Sequence, residues 1–231
     1  MNTSNYIKQQ VASFSREWHR TGVFLAGVRS ESGFSNRGEG KDLFILLPND
    51  TNKRQIAAHN AIVVGAETDW PELWVRPSYS SYEVAFAQFA QWHADYDYLN
   101  APDKSRYDVD HVFSHTRAGP AQLNMQYVRL ALVERSANRS WGSFVEKAMV
   151  TTDARHQNKT HHYATLFLLA KLIGLNAPSK VSYLDDIKKL AKKLINQGFG
   201  REAEYDLFVF QMQYLYEVEV LNIPPLRKRF P

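Results

Sequence analysis

Two short stretches near the middle of the chain carry the residue types best suited to chemistry. The first, Tyr-Asp-Val-Asp-His-Val at residues 107–112, contains an Asp-His pair, and the second, Arg-Ser-Ala-Asn-Arg at residues 135–139, contains an Asn-Arg pair. A histidine can take a proton from water, while a carboxylate and an amide oxygen can hold a divalent cation. Together these groups predict metal-assisted cleavage of a phosphodiester bond, and therefore a protein that cuts nucleic acid.

The first stretch has the alternation expected of a β-strand. In a regular pleat, Asp108 and Asp110 point to one side of the strand, while Val109 and His111 point to the other. Asp110 and His111 can therefore converge on one metal ion only if the backbone departs from the pleat, as it can where a strand ends.

The residues that follow predict the elements that would complete a site. Residues 114–125 have the composition of a loop, and residues 127–133 form a β-prone run that can pair back as a hairpin. Ser136 is a suitable N-cap for a helix that continues to about Met149, with Asn138 in its first turn. The predicted order is strand, loop, strand and helix, with a metal between the end of the first strand and the helix.

At these residues the chain resembles the HNH, or ββα-metal (His-Me finger), nuclease family. The two motifs are similar to those in the nuclease domain of RNA-guided CRISPR effectors and in the stand-alone HNH nucleases of phages, restriction systems and bacterial toxins. The resemblance extends from Tyr107 to Lys147 and leaves the rest of the chain unexplained.

The resemblance implies a role for each residue of the core. His111 is the general base that activates water, and Asp110 and Asn138 are ligands of a divalent metal ion. Magnesium or manganese is the expected ion, with zinc or nickel as alternatives. Arg139 is the preferred contact for the scissile phosphate because it adjoins a ligand in the first turn of the helix.

Two features depart from the family pattern. The family carries an asparagine near the start of the second strand, and the candidates here, Asn124 and Gln126, do not match its spacing. The loop after His111 also lacks the proline and paired glycines common in the family. Both departures concern the geometry of the loop and leave the three core residues in place.

Additional basic residues around the core predict contacts with substrate phosphates. An equally simple interpretation is that some of them pair with Glu134, Glu146 and Asp153. His115 can be a second ligand, a substrate contact or an exposed loop residue. The residues expected to contact substrate, besides Arg139, are Arg117, Arg129, Arg135 and Lys147.

Composition limits the remaining possibilities. The chain has 231 residues, 44% of them apolar, and no cysteine, so disulfides, thiolate metal sites and a cysteine nucleophile are excluded. A formal net charge of +4 permits a polyanionic partner. The first residues lack a secretory signal pattern and no apolar run is long enough to span a bilayer, so we expect no membrane partner. We expect the protein in the cytoplasm, or delivered into the cytoplasm of a target cell.

The predicted fold class is α+β, organised as one compact unit. Residues 1–106 form a mixed α/β region, residues 107–150 the HNH-like ββα-metal core, and residues 151–231 a helical C-terminal lobe. Helices are predicted at residues 6–20, 83–98, 161–175, 183–196 and 201–221, and strands at 23–28, 43–47, 61–64 and 73–75.

The sequence therefore predicts a metal-dependent endonuclease that acts on nucleic acid, on DNA rather than RNA. If it is a toxin, an inhibitory immunity protein is an expected partner. The alternative is a non-catalytic nucleic-acid-binding protein with a degenerate HNH fold. A third hypothesis is an interaction protein in which Asp110 and His111 form only a local hydrogen bond.

Overall fold

A computed structural model of the chain describes residues 1–35, 45–46, 60–65, 70–114, 118, 124–143 and 161–224. It confirms the predicted α+β class. The helices are α1 (Thr3–Thr21), α2 (Ser32–Ser35), α3 (Tyr82–Ala94), α4 (Arg135–Ser143), α5 (Leu166–Leu172), α6 (Tyr183–Asn196) and α7 (Tyr205–Leu215). The strands are β1 (Leu25–Val28), β2 (Ile45–Leu46), β3 (Ala61–Val64), β4 (Glu72–Val75), β5 (Tyr107–His111), β6 (Tyr127–Glu134) and β7 (His161–Tyr163). Short 3-10 turns lie at Lys104–Arg106 and Glu202–Glu204, and a π-helical turn at Tyr216–Val220 extends α7.

The strands form one antiparallel sheet in which β6 is shared by two sets of neighbours. The order along the sheet is β2-β3-β4-β6-β1-β7, and β5 joins it by pairing with β6. Residues 127–129 of β6 pair with β1 and β4, whereas residues 130–134 pair with β5. Strands from all three regions distinguished in the sequence therefore meet in one sheet.

Alternation along the strands divides the core between the two faces of this sheet. In β3, Ala61 and Val63 belong to the larger apolar cluster, while Ile62 and Val64 belong to the smaller one. The residues of β6 are buried up to Val133, as expected for a central strand covered on both faces. The remaining members of the smaller cluster are Leu25, Val28, Phe34, Trp74 and Tyr127.

Arg129 of β6 is buried at the point where that strand changes partners. Its residue exposure is 1%, and its Nη1 donates to Glu17 Oε2 at 2.6 Å. Its Nη2 lies 3.2 Å from Glu72 Oε1, and its guanidinium carbon lies 4.9 Å and 4.4 Å from the ring centroids of Phe14 and Phe24. The prediction that Arg129 contacts substrate is therefore wrong, because two internal carboxylates neutralise its charge.

Helix α1 also provides hydrogen-bond partners for the backbone of β6 beyond Arg129. The side chain of Gln10 donates from Nε2 to Leu132 O at 2.9 Å and accepts from Leu132 N at 2.9 Å. Alternate residues of a strand direct their peptide groups to opposite edges, so the amide of Gln10 takes the place of a neighbouring strand. These two hydrogen bonds fix the half of β6 that pairs with β5.

Several predicted boundaries need correction; for example, the helix predicted at residues 83–98 ends at Ala94, and the helix predicted at residues 201–221 begins at Tyr205. The helix predicted at residues 161–175 begins only at Leu166, because Thr165 caps it by accepting a hydrogen bond from Leu168 N. The three residues His161–Tyr163 instead pair with β1 as β7. Ser136 is not an N-cap, since α4 starts at Arg135 directly after β6. By contrast, the helix predicted at residues 183–196 is confirmed as α6.

None of the helices in the described ranges is long and apolar enough to cross a membrane.

We predict that Arg129→Met destabilises the protein by about 3–5 kcal/mol, because it leaves the buried Glu17 and the partly buried Glu72 without their cation. Urea unfolding followed by circular dichroism measures the change. Arg16→Met is the matched control, since Arg16 is exposed on α1, and should shift the unfolding free energy by no more than about 0.5 kcal/mol. Equal stability of the two variants would show that the buried ion pairs do not hold β6 in place.

Candidate functional site

The elements around the two motifs follow the predicted order. Strand β5 pairs antiparallel with β6, with Asp108 opposite Val133, Asp110 opposite Ala131, and His111 opposite Leu130. Helix α4 follows β6 without an intervening residue. A hairpin followed at once by a helix brings the Asp-His and Asn-Arg motifs together from distant parts of the sequence.

Asp108 joins this helix to the first strand. Its Oδ1 accepts from Arg135 Nε at 2.8 Å, and its Oδ2 accepts from Asn138 Nδ2 at 3.2 Å. Arg135 Nη2 also donates to Tyr107 O at 3.3 Å. Arg135, expected to contact substrate, therefore makes internal contacts that position α4, and Asn138 is held by its amide nitrogen over the face of β5 that carries Asp108.

Asp110 lies on the same face as Asp108 and forms an ion pair with a buried lysine. Its Oδ2 is 2.6 Å from Lys171 Nζ, and the two side chains are 20% and 2% exposed, respectively. Lys171 belongs to α5, in which all seven residues are buried. An ammonium group in such a place needs a counter-charge, because desolvation would otherwise oppose its burial.

Lys171 is a site residue that the sequence analysis missed. The available signal was a single cation inside an otherwise apolar helical run, Leu-Phe-Leu-Leu-Ala-Lys-Leu at residues 166–172. A charged residue at a buried helical position requires a partner, but the sequence does not show which acidic residue the fold will bring to it.

His111 lies on the opposite face of β5 from Asp110. Burial alternates along the strand, and His111 is 5% exposed. The pairing continues past it, because Val112 N donates to Arg129 O at 2.8 Å. The departure from the pleat that would let Asp110 and His111 converge does not occur within β5. The imidazole instead contacts Tyr82 edge-on, with ring centroids 4.5 Å apart.

Burial and nearby acidic residues both raise the pKa values of two tyrosines beside β5. Burial raises the pKa of Tyr82, and the nearby charges of Glu83, Asp110 and Asp108 raise it further. Burial, followed by the charges of Glu83 and Asp108, raises the pKa of Tyr98 to about 12. Both phenols are therefore protonated at neutral pH and remain able to donate hydrogen bonds.

The other residues predicted for the site are Arg139, Asn124, Gln126, His115, Arg117 and Lys147. Arg139 is exposed on α4, in the residue after Asn138. Asn124 is exposed with φ of 48°, a left-handed conformation that asparagine tolerates, and Gln126 N donates to Val28 O at 2.8 Å. Both precede β6, and the hydrogen bond of Gln126 joins this segment to β1. His115, Arg117 and Lys147 lie outside the described residues.

The histidines of β7 have structural surroundings. His161 Nε2 lies 2.5 Å from Gly33 O, and the buried ring of His162 lies 6.3 Å from the ring of Phe113. These contacts attach β7 to Gly33 of α2 and to Phe113, which follows β5.

Two carboxylates and one amide are the groups of the core that could contribute ligands to a divalent cation. Magnesium typically binds one or two carboxylates and keeps several of its waters, and β5 presents Asp108 and Asp110 on one face near the amide of Asn138. No group of three or more His, Cys, Asp or Glu residues within the described residues is placed to hold a metal ion. A cation here would rely on few protein ligands and would share Asp110 with Lys171.

No protein-family profile, curated protein or solved structure matches the chain.

We predict that Asp110→Ala destabilises the protein by about 3–5 kcal/mol, because it leaves the Lys171 ammonium buried without a counter-charge. The double variant Asp110→Ala/Lys171→Met should recover most of this loss, since it removes both charges. Urea unfolding of Asp110→Ala, Lys171→Met and the double variant measures the coupling energy.

Asp185→Ala on the exposed face of α6 serves as the matched control and should stay within about 0.5 kcal/mol of the wild type. If the losses of the two single variants simply add in the double variant, the Asp110–Lys171 pair is not energetically coupled.

Proposed function

We propose that the chain is a divalent-metal-dependent endonuclease of the HNH type, which hydrolyses phosphodiester bonds in nucleic acid, most readily in DNA. The observation that supports this best is the hydrogen bond from Asn138 to Asp108. It holds a side chain from the first turns of α4 against the face of β5 that carries Asp110, as a ββα site requires.

In this proposal, each residue acts from the position that it has in the fold. Asp110 and Asn138 would hold the cation, which supplies positive charge to the scissile phosphate. His111 would accept the proton of the attacking water, since histidine is the usual general base near neutral pH. Arg139, exposed beside Asn138, would contact a phosphate oxygen.

The proposal uses the edge position of β5, which would let residues on opposite faces of the strand serve one phosphate. Among the strands that the structure describes, β5 pairs with β6 alone. In this proposal, a phosphate at the open edge of β5 would lie between the two faces, and the buried ring of His111 would have to become accessible to it. A central strand with neighbours on both edges would separate these two side chains.

The Asp110–Lys171 ion pair favours a second candidate function, a non-catalytic nucleic-acid-binding protein with the same fold. In that case the Lys171 ammonium permanently supplies the positive charge that a metal ion would otherwise bring to Asp110. The low exposure of His111 points the same way, because a general base must reach water.

We predict that the purified protein nicks supercoiled plasmid in the presence of magnesium or manganese and that EDTA abolishes the activity. His111→Ala should lower the rate by about 100-fold or more, as expected for loss of a general base. Gel electrophoresis over time measures the rate, with a structured RNA as a parallel substrate.

His19→Ala is the matched control, because His19 is exposed on α1, and it should cleave at the wild-type rate. Circular dichroism verifies that each variant is folded. Cleavage by His111→Ala at the wild-type rate would refute its assigned role, and wild-type protein inactive with every metal would favour the non-catalytic candidate.

A further inference from the structure

The 3-10 turn that precedes β5 places two additional cations beside the candidate site. The turn Lys104–Arg106 leads directly into Tyr107, so Arg106 lies two residues before Asp108. The turn packs against both β5 and α4. We propose that Lys104, Arg106 and Arg139 form a basic rim that binds the phosphodiester backbone of nucleic acid. This inference rests on the proposed function, because it names the surface that would bring substrate to that site.

Aromatic rings support the two cations of the turn while leaving charge available to solvent. Arg106 has a side-chain exposure of 66%, and its guanidinium carbon lies 5.9 Å from the ring centroid of Tyr107. Lys104 Nζ lies 5.0 Å from the ring centroid of Tyr98. Cation–π contacts of this kind restrict a long side chain, so less conformational entropy is lost when a phosphate binds.

Arg139 extends the rim onto α4. It follows Arg135 by four residues, so it lies one turn further along the same side of the helix. Arg135 is anchored to Asp108 at 2.8 Å, which directs this side of α4 toward β5. Arg139 is exposed on α4, the helix that contacts the turn carrying Arg106.

The acidic neighbours of the rim leave its guanidinium groups exposed. Glu134 lies 4.0 Å from Arg106, a separation at which an exposed pair is only weakly bound. Glu83, whose charge acts on Tyr98, and Asp103, which precedes Lys104, also carry negative charge near the turn. Phosphate binding therefore depends on the exposed guanidinium groups of Arg106 and Arg139 and not on a net positive charge. Exposed arginines contact phosphate oxygens irrespective of base sequence.

The lysines of α6 differ from the rim and provide a control of equal charge. Lys192 binds Glu202 at 2.7 Å and Lys189 lies 3.8 Å from Asp186, while Lys188 and Lys193 are exposed. Helix α6 packs on α5 and α7 rather than beside the 3-10 turn that precedes β5. Removing Lys188 and Lys193 therefore changes the net charge as much as removing Arg106 and Arg139, without altering the rim.

The experiment is a binding titration of a labelled DNA duplex, followed by fluorescence anisotropy in EDTA so that no cleavage occurs. We compare the wild type with Arg106→Gln/Arg139→Gln and with Lys188→Gln/Lys193→Gln between about 50 and 200 mM salt. The rim variant should bind about tenfold more weakly, and its log–log salt slope should fall by about 2, close to 0.9 for each lost phosphate contact. Lys104→Gln added to the rim variant should lower the slope further.

The α6 variant should retain the affinity and the salt slope of the wild type. Wild-type binding by the rim variant would overturn the inference, as would an equal loss in the α6 variant, because that result would reflect net charge alone. A plasmid cleavage assay with manganese separates the two proposals. Rim-dependent binding without any cleavage supports the rim and refutes the nuclease, whereas cleavage by a rim variant that binds normally refutes only the rim.

Discussion

The buried guanidinium of Arg129 is the interaction on which the rest of the structure depends. It stands at the residue where β6 leaves its pairing with β1 and β4 and begins to pair with β5. Glu17 brings α1 to this point and Glu72 brings β4, while the rings of Phe14 and Phe24 enclose the cation. Because a buried arginine is tolerated only where its charge is matched, these partners fix the direction in which the hairpin leaves the sheet.

A second pair of charged contacts then organises the candidate site. Asp108 binds Arg135 and Asn138 and so fixes α4 against β5, while Asp110 binds Lys171 and so fixes α5 against the same face. Asp108 and Asp110, two residues apart, thus contact helices from different parts of the chain. The side chains proposed to hold a cation already have structural partners, and a metal ion would have to compete with Lys171 for Asp110.

Local patterns explain why much of this architecture could be predicted from sequence. The hairpin and the helix after it follow from an alternating run, a β-prone run and their spacing, and α6 follows from its regular apolar positions. The partners of Arg129 and Lys171 could not be predicted this way, because they are distant in the sequence. Glu17, for example, precedes Arg129 by 112 residues. Strand β7 was also missed, because its two histidines and tyrosine have no strong strand pattern and become a strand by pairing with the distant β1.

The most direct test of the proposed site is a titration with manganese, with free Mn²⁺ followed by electron paramagnetic resonance. If Asp110 and Asn138 hold a catalytic cation, the wild type will bind a single equivalent, and Asn138→Ala will lose it while Asn196→Ala, at the exposed end of α6, retains it. Absence of a bound equivalent in the wild type, or its full retention in Asn138→Ala, would contradict the proposed metal site.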